Sequence, residues 1–380
     1  MFAFLIFYFV LFDISFVFAF LPFVAKTLDM QGISLTDNLI DPLTGSLSVS
    51  KSPDLLRIEQ VIIEDKLNKL TCDQMKGLSK GQMQLCHLYK DHMSHIGKGA
   101  RLGVTECQWQ FKNSRWNCSF DESSAFGSIL NKASRESAFA HAISTAGVVH
   151  SIARACRDGQ LPNCGCSKAN RPKNLKKDWL WGGCGDNIDY GYKFSETFID
   201  LKEKEKSNLK SLKDKGRRLM NLHNNEVGRR AVIKKTRVTC KCHGVSGSCS
   251  LITCWQQLSS FREVGDYLKE KYEKSTEVKI NKRGKLQVRN KRQKLPTAED
   301  LVHVDGSPDF CMDKTGTLGT QGRVCNKTSR GSDGCESMCC GRGYDTHSAM
   351  VSERCRCRFH WCCYVQCDTC QIEKEIQTCK

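Results

Sequence analysis

Cysteine is the residue type that most limits what this chain can fold into. The 380 residues include 24 cysteines, an even number, and the cytosol keeps thiols reduced, so a chain this rich in cysteine is typical of an oxidising compartment. Twelve of them lie within residues 72–254 and the other twelve within 311–379, so each half can pair internally. We therefore expect an extracellular protein with two separately cross-linked halves.

Charge and composition narrow the class of protein further. The chain has 58 Lys and Arg against 41 Asp and Glu, a formal net charge of +17, so acidic polymers and membrane surfaces are plausible partners. With only 7 prolines and 29 glycines, collagen-like, mucin-like and broadly disordered chains are excluded.

The amino-terminal residues 1–25 are almost wholly apolar and hold 9 of the 18 phenylalanines. This pattern predicts a secretory signal peptide that ends at residue 19, with a second candidate cleavage point after residue 25. A signal anchor is the alternative, although Asp13 and Pro22 interrupt the apolar run. Residues 20–54 form a variable segment in this interpretation.

The fold class expected from the remaining pattern is α+β and disulfide-rich. Residues 55–258 form a helical amino-terminal domain with one β-hairpin, since apolar residues recur at helical spacing in four stretches. These stretches are Leu55–Leu70, Cys72–His95, Glu136–Arg157 and Gly216–Arg237.

The second half has a different pattern. Residues 259–310 contain no cysteine, and Lys279–Lys294 carries eight basic residues and no acidic one, so we expect a basic linker region. Residues 311–380 are rich in cysteine, and their apolar residues show little helical periodicity. We therefore expect a small cystine-rich carboxy-terminal domain of short strands, stabilised by cross-links instead of an ordinary apolar core. Lys202–Lys215, where Lys alternates with Glu, fits a solvated surface.

Arg237–Trp255 is the most informative stretch of the sequence. On both sides of the turn-prone segment His243–Ser248, every second residue falls on the same face. This alternation predicts two strands joined by a loop and held by four cysteines. Glycines on both sides of Ser246 leave its hydroxyl open to a modifying enzyme.

Three other interpretations of Ser246 are a nucleophile, a residue of a zinc knuckle and a residue that only fills a turn. The nucleophile elbow G-x-S-x-G is incomplete, because Ser248 stands at its fifth position. The cysteine spacing also differs from that of zinc knuckles. From spacing alone, Ser246 also fits a residue that only fills a tight turn.

Several motifs resemble those of the Wnt family of secreted signalling glycoproteins, and the similarity extends from about Leu55 to Lys380. The motifs are CKCHGVSGSC at 240–249, TCW at 253–255, the segment from Glu106 to Cys118, WGGCGD at 181–186, MNLHNNE at 220–226 and CCGRGY at 339–344. DWLW at 178–181 and HWCCYV at 360–365 are most similar to the fifth subgroup of that family.

The resemblance implies a lipid on Ser246. In this family the matching serine carries palmitoleate, attached by the acyltransferase Porcupine, and the acyl chain enters a groove on the cysteine-rich domain of Frizzled receptors. A chain of about 16 carbons can supply on the order of 10 kcal/mol when buried. The receptor-binding thumb would comprise His243, Gly244, Val245, Ser246 and Gly247. Apart from this covalent lipid, no cofactor and no metal are implied.

A second receptor contact is implied in the carboxy-terminal half. It is a finger formed by Phe359, His360, Trp361, Cys362, Cys363, Tyr364 and Val365. Rigid aromatic side chains at such a tip would anchor an interface at low entropic cost.

The resemblance also implies how the cysteines pair, which sequence alone leaves open. In the first half the implied pairs are Cys72 with Cys86, Cys107 with Cys118, Cys156 with Cys164, Cys166 with Cys184, Cys240 with Cys254, and Cys242 with Cys249. In the second half they are Cys311 with Cys340, Cys325 with Cys335, Cys339 with Cys379, Cys355 with Cys370, Cys357 with Cys367, and Cys362 with Cys363.

Two sequons predict N-glycosylation, at Asn117 and Asn326. The implied partners are Frizzled receptors, Ror or Ryk coreceptors with low-density-lipoprotein-receptor-related proteins as an alternative, Wntless during secretion, and heparan sulfate proteoglycans through Lys279–Lys294. No nucleic acid is expected, and membrane association would occur through the lipid. The expected protein is a secreted ligand with mainly β-catenin-independent output and not an enzyme. A secreted hydrolase that uses Ser246 is the alternative from another class.

Overall fold

A computed structural model describes residues 72–75, 77–119, 127–206, 209, 211–245, 249–290, 292–312, 319–361 and 364–380. The predicted signal peptide, the variable segment and the helix predicted at 55–70 lie outside these residues. All described residues belong to one compact unit of the chain.

Seven α-helices are found in the described part of the chain, six of them before residue 274. They are α1 (Lys80–Leu88), α2 (Lys90–Phe111), α3 (Arg135–Arg157), α4 (Ile188–Lys204), α5 (Leu212–Lys235), α6 (Phe261–Glu273) and the single turn α7 (Cys335–Met338). Within the described residues, none of these helices combines the length and the apolar character needed to cross a bilayer.

Helix α3 lies at the centre of the helical half. Ser134 caps its amino terminus by accepting a hydrogen bond from the backbone N–H of Ser137. Most of the helix is buried, and α2, α4, α5 and α6 all pack on it. Large side chains such as Phe139 and Ile143 are fully buried in the main core, so the apolar spacing predicted for this stretch is confirmed as a core helix.

Glycines allow two of these helices to approach α3 closely. A Cβ atom on Gly147 of α3 would lie 2.1 Å from the carbonyl oxygen of Gly99 on α2, and one on Gly228 of α5 would lie 2.1 Å from that of Ala142. No larger residue fits such contacts without moving a helix.

Among the described residues, nine strands form three small sheets. The strands are β1 (Leu180–Trp181), β2 (Arg237–His243), β3 (Leu251–Gln257), β4 (Thr276–Ile280), β5 (Leu286–Val288), β6 (Val302–His303), β7 (Val324–Cys325), β8 (Tyr344–His360) and β9 (Tyr364–Cys379). Their orders are β1-β3-β2, β5-β4-β6 and β7-β9-β8.

The described residues of 259–310 form helix α6 and strands β4, β5 and β6, so the expectation of a basic linker was wrong for most of this region. Helix α6 buries Val264 and Leu268 in the main core, and Val278 and Val302 join a smaller cluster with Met220 of α5. The basic residues of the β4–β5 hairpin alternate with these apolar ones. This alternation is typical of half-buried strands, but the many basic residues obscured it in the sequence.

The carboxy-terminal region contains strands, as predicted, but two of them are long. Strands β8 and β9 have 17 and 16 residues and pair antiparallel from Tyr344–Cys379 to His360–Tyr364. The core at their base consists mainly of cystines around Met338. The α+β, disulfide-rich fold class is therefore confirmed, although the expectation of short strands was wrong for this pair.

Eleven disulfides join the described cysteines, and each is one of the pairs implied by the family resemblance. No described cysteine has a free thiol. The twelfth implied pair, Cys362 with Cys363, lies outside the described residues.

Candidate functional site

The first candidate surface is the hairpin formed by β2 and β3. Its strands pair in register from Arg237 opposite Gln257 to His243 opposite Leu251, as the alternating sequence predicted. The disulfide Cys240–Cys254 cross-links the two strands, and Cys242–Cys249 joins the end of β2 to the loop just before β3. The hairpin can therefore hold its loop in place with little help from an apolar core.

Asp186 fixes the base of this hairpin to helix α3. Its fully buried carboxylate accepts the backbone N–H of Leu258 at 2.8 Å and forms ion pairs with Arg154 at 2.9 Å and Arg157 at 3.2 Å. In the sequence, Asp186 stands out only as part of the WGGCGD motif. Nothing in the local sequence indicated the two arginine partners, which come from a helix turn some thirty residues earlier.

The tip of the first hairpin is exposed and partly apolar. The side chain of Val245 is 88% exposed, and His243 and Gly244 are exposed as well. The hydroxyl of Ser250 donates a hydrogen bond of 2.9 Å to the carbonyl oxygen of His243, which closes the mouth of the loop. Ser246 and Gly247, the remaining residues of the predicted thumb, lie outside the described residues.

The second candidate surface is the free end of the β8–β9 ribbon. Two disulfides, Cys355–Cys370 and Cys357–Cys367, cross-link the ribbon near this end. The register shifts between Cys355 and Arg358, and Arg356 within that shift has a positive φ of 47°. Such a bulge increases the local twist of a ribbon and redirects the side chains beyond it.

Large apolar side chains project from the tip of this ribbon. Phe359 is 72% and Trp361 is 91% exposed, while Val365 lies opposite Phe359 in the strand register. The rings of His360 and Tyr364 stack at a centroid distance of 4.9 Å. All described residues of the predicted finger thus lie together at one exposed tip, and Cys362 and Cys363 fall outside the described part.

Arg323 attaches the base of the ribbon to the helical half. Its guanidinium donates hydrogen bonds of 2.7–3.1 Å to the carbonyl oxygens of Lys112, Ser114 and Arg115 after helix α2. Burial lowers the pKa of Arg323. This role of Arg323 was not predictable from the sequence, because its acceptors are backbone atoms about 210 positions away and leave no sequence signal.

The two predicted glycosylation sites have different surroundings. The Asn326 side chain is exposed, and its carbonyl oxygen accepts hydrogen bonds from the N–H and hydroxyl of Thr328. Asn117 is half-buried and lines a surface cavity of about 650 Å³ together with Arg323 and Arg342. Occupancy of both sites stays a prediction.

Metal binding has little support in the described residues. The sulfur atoms of Cys325, Cys339 and Cys379 lie within 4.8 Å of one another, as metal ligands would. All three are used in disulfides, Cys325–Cys335 and Cys339–Cys379, so this cluster offers no thiolate.

Comparisons with known proteins identify the family of this chain. The sequence profile of the wnt family matches residues 74–380. The chain is 58% identical over 312 residues to Protein Wnt-5b of Mus musculus, an alignment covering 81% of this chain and 87% of that protein. It is equally similar to Protein Wnt-5a of Homo sapiens, with 81% and 82% covered.

A solved structure supports the same relationship at the level of the fold. A chain of the structure "Human WLS in complex with WNT8A" matches with a TM-score of 0.55 and 37% identity, covering 76% of this chain and 94% of that one. The profile match, the two relatives and this structure together establish that the chain belongs to the Wnt family and to its fifth subgroup.

Proposed function

We propose that this chain is a lipid-modified ligand that grips the cysteine-rich domain of Frizzled receptors with two hairpin tips. Membership of the family makes it a secreted signalling ligand and not an enzyme, so the hydrolase alternative for Ser246 was wrong. Ligands of this family need no cofactor.

The observation that carries the proposal is the exposed, disulfide-braced end of the β2–β3 hairpin, as far as it is described. Val245 is almost fully exposed next to Ser246 in the sequence, and two disulfides brace the strands behind it. A palmitoleate on Ser246 would add an apolar chain at the end of this support. Burial of that chain in a receptor groove would supply most of the binding energy.

The ribbon tip is the proposed second contact. Trp361 and Phe359 are large aromatic side chains that a partner could bury, and the cross-linked ribbon limits the entropy that binding would cost. Binding at two tips joined by one rigid unit raises the effective concentration of the second contact once the first has formed.

Further partners follow from the family. We propose acylation by Porcupine in the endoplasmic reticulum and transfer by Wntless, which the similarity to a chain of the WLS–WNT8A complex supports. Because an exposed acyl chain is poorly soluble, carriers of this kind are needed in transit. The proposed coreceptors are Ror or Ryk, with low-density-lipoprotein-receptor-related proteins as the alternative. Heparan sulfate is the proposed partner of Lys279–Lys294.

The decisive experiment is mass spectrometry of the peptide that spans residues 242–254 from secreted protein, followed by binding to an isolated Frizzled cysteine-rich domain. We expect a monounsaturated 16-carbon ester on Ser246, and we expect Ser246→Ala to abolish both the ester and the binding. Ser248→Ala is the matched control, since it removes a hydroxyl from the same loop. An unmodified Ser246 in receptor-binding protein would rule out the acylated thumb.

A further inference from the structure

Two arginines spaced three residues apart stand in the loop that follows strand β5. The run R-N-K-R at 289–292 is followed by Gln293, and we use the name arginine loop for residues 289–295. A guanidinium fits a carboxylate in a bidentate way that an ammonium cannot, so an endoprotease with acidic subsites can read arginines at fixed positions. The pattern Arg-x-x-Arg occurs at one other place in the chain, 154–157.

The two places differ in accessibility. Arg154 and Arg157 lie on helix α3, where both pair with the buried carboxylate of Asp186. Arg289 and Arg292 are exposed and follow a short strand. A protease binds its substrate as an extended segment, so exposed loops are cut in preference to packed helices. Of the two places, the arginine loop is therefore the one that a protease can reach.

Weak contacts hold the described part of the arginine loop. The side-chain oxygen of Asn290 accepts the N–H of Arg292 at 3.0 Å, and its backbone carbonyl accepts that of Gln293 at 3.0 Å. Arg289 donates its backbone N–H to the carbonyl oxygen of Glu277 at 3.0 Å, and the two side chains form an ion pair of 2.6 Å. These side chains are 61% and 37% exposed, so the pair adds little stability. Drawing the loop out into an extended strand should cost little free energy.

We propose that a secretory-pathway endoprotease of the proprotein-convertase class cuts the arginine loop between Arg292 and Gln293. Water breaks this peptide bond: its hydroxyl adds to the carbonyl carbon of Arg292, and its other proton goes to the nitrogen of Gln293. The products are a new carboxylate and a new amine. Lys291, which lies outside the described residues, supplies the basic residue that this class of protease favours before the arginine at the cut. The inference rests on the proposed function only for passage through the secretory pathway.

No disulfide among the described cysteines crosses this bond. Six pairs lie within residues 72–254 and five within 311–379. Cleavage would therefore give two chains without a covalent link between them. One chain would carry the β2–β3 hairpin, and the other would carry the β8–β9 ribbon.

Non-covalent contacts near the cut would hold the two chains together. Strand β6, after the cut, pairs in parallel with β4, before it. The side chain of Asn224 exchanges two hydrogen bonds with the backbone of Val302, at 2.9 and 3.1 Å, and Leu301 is fully buried in the main core. We expect the cut protein to keep its fold until it is denatured. Because the two proposed receptor tips then lie on different chains, cleavage would make the two-tip grip depend on these contacts.

The test uses full-length protein secreted from cells that lack convertase activity, with purified furin as the probe. We expect two fragments in denaturing electrophoresis without reductant, and a peptide that ends at Arg292 by mass spectrometry. In Arg292→Lys and in Arg289→Lys cleavage should be at least about tenfold slower, because Lys cannot replace the guanidinium. The matched control is Arg283→Lys in the exposed turn between β4 and β5. Its cleavage should stay within about twofold of wild type, since it lies outside the recognised spacing.

These substitutions keep the charge, so they separate recognition by a protease from attraction of a polyanion. Heparin should bind Arg292→Lys as tightly as wild type, because the charge of residues 279–294 is unchanged. Trypsin accepts either Lys or Arg at the cut, so it should cleave the loop in wild type and in both loop variants. Failure of trypsin to cut would show that the loop is closed to proteases and would overturn the inference.

Three further outcomes would overturn the inference. These are wild-type protein that furin leaves intact, equally fast cleavage of wild type and the two loop variants, and fragments that separate only after reduction. The mass of the Ser246 peptide and Frizzled binding, measured on uncut Arg292→Lys protein, separate the two proposals. Cleavage after Arg292 in protein without the ester would contradict the proposed function alone, and intact wild type that carries the ester would contradict this inference alone.

Discussion

Arg229 and Asp200 form a bidentate ion pair that is almost wholly buried between helices α5 and α4. The guanidinium donates to the two carboxylate oxygens at 3.1 and 2.9 Å, and the side chains are only 3% and 6% exposed. Asn225 donates a third hydrogen bond to the Asp200 carboxylate at 2.9 Å. The pair joins two helices that both pack on α3.

Removing one partner of this pair should strongly destabilise the protein. We expect Asp200→Ala to lower the free energy of unfolding by about 3 kcal/mol, because the buried Arg229 would keep only the more exposed Glu226 as an acidic partner. The control is Asp214→Ala, which breaks the exposed pair with Arg217 and should cost less than about 1 kcal/mol. Chemical denaturation followed by circular dichroism measures both, and equal costs would contradict the explanation.

The close packing of helices α2 and α3 gives a second prediction. Gly147→Ala would place a Cβ atom 2.1 Å from the Gly99 carbonyl oxygen, so we expect a loss of stability of about 1–3 kcal/mol or more. In Gly216→Ala the nearest neighbouring atom would be 3.9 Å away, and the better helix propensity of Ala should stabilise α5 by up to about 1 kcal/mol. Thermal unfolding of the two variants should therefore shift in opposite directions.

The sequence predicted helix α3, most of helix α5 and the first hairpin for a local reason, whereas the stretch Cys72–His95 is divided between α1 and α2, and helices α4 and α6 were not predicted. The helical spacing around Phe139 and Ile143, and the alternation on both sides of His243, are each written in a short stretch of chain. The disulfide pairs came from the family resemblance, since spacing alone allows far too many pairings.

The contacts that position the two tips were not predictable in the same way. Asp186 depends on arginines of α3, and Arg323 depends on carbonyl oxygens about 210 residues earlier. Neither of these contacts leaves a periodic pattern in the sequence. The fold of residues 259–310 was missed because eight positive charges concealed the half-buried alternation at Val278 and Val288.

Acid should destabilise the helical half through buried histidines. Burial lowers the pKa of His141 to about 4, against the partly opposing effect of Glu203, and it also lowers the pKa of His92, His150 and His303. A lowered pKa in the folded state means that the unfolded chain takes up protons first. Stability should be complete above about pH 6.5 and should fall as the pH drops towards about 4.

The test of this pH dependence compares melting temperatures at neutral pH and near pH 5. In His141→Gln the decrease on acidification should be smaller than in wild type, since one of the buried titrating groups is gone. His347→Gln, at an exposed position of β8, should keep the wild-type decrease. An unchanged pH profile in His141→Gln would show that acid acts elsewhere in the fold.

The aromatic tip of the β8–β9 ribbon gives a prediction that separates binding from folding. Trp361 is 91% exposed, so Trp361→Ala should leave the melting temperature and secretion unchanged. If Trp361 anchors the receptor contact, the same change should weaken binding to a Frizzled cysteine-rich domain by about 2 kcal/mol or more, roughly 30-fold.

The control for this prediction is Met350→Ala, which removes a 63% exposed side chain from the same ribbon about ten residues before the tip. We expect its affinity to remain within about twofold of wild type, because it lies away from the proposed contact. Surface plasmon resonance on acylated protein in matched detergent gives both affinities. A similar loss in the two variants would point to a general effect on the ribbon, and no loss in Trp361→Ala would leave the acylated hairpin as the sole receptor contact.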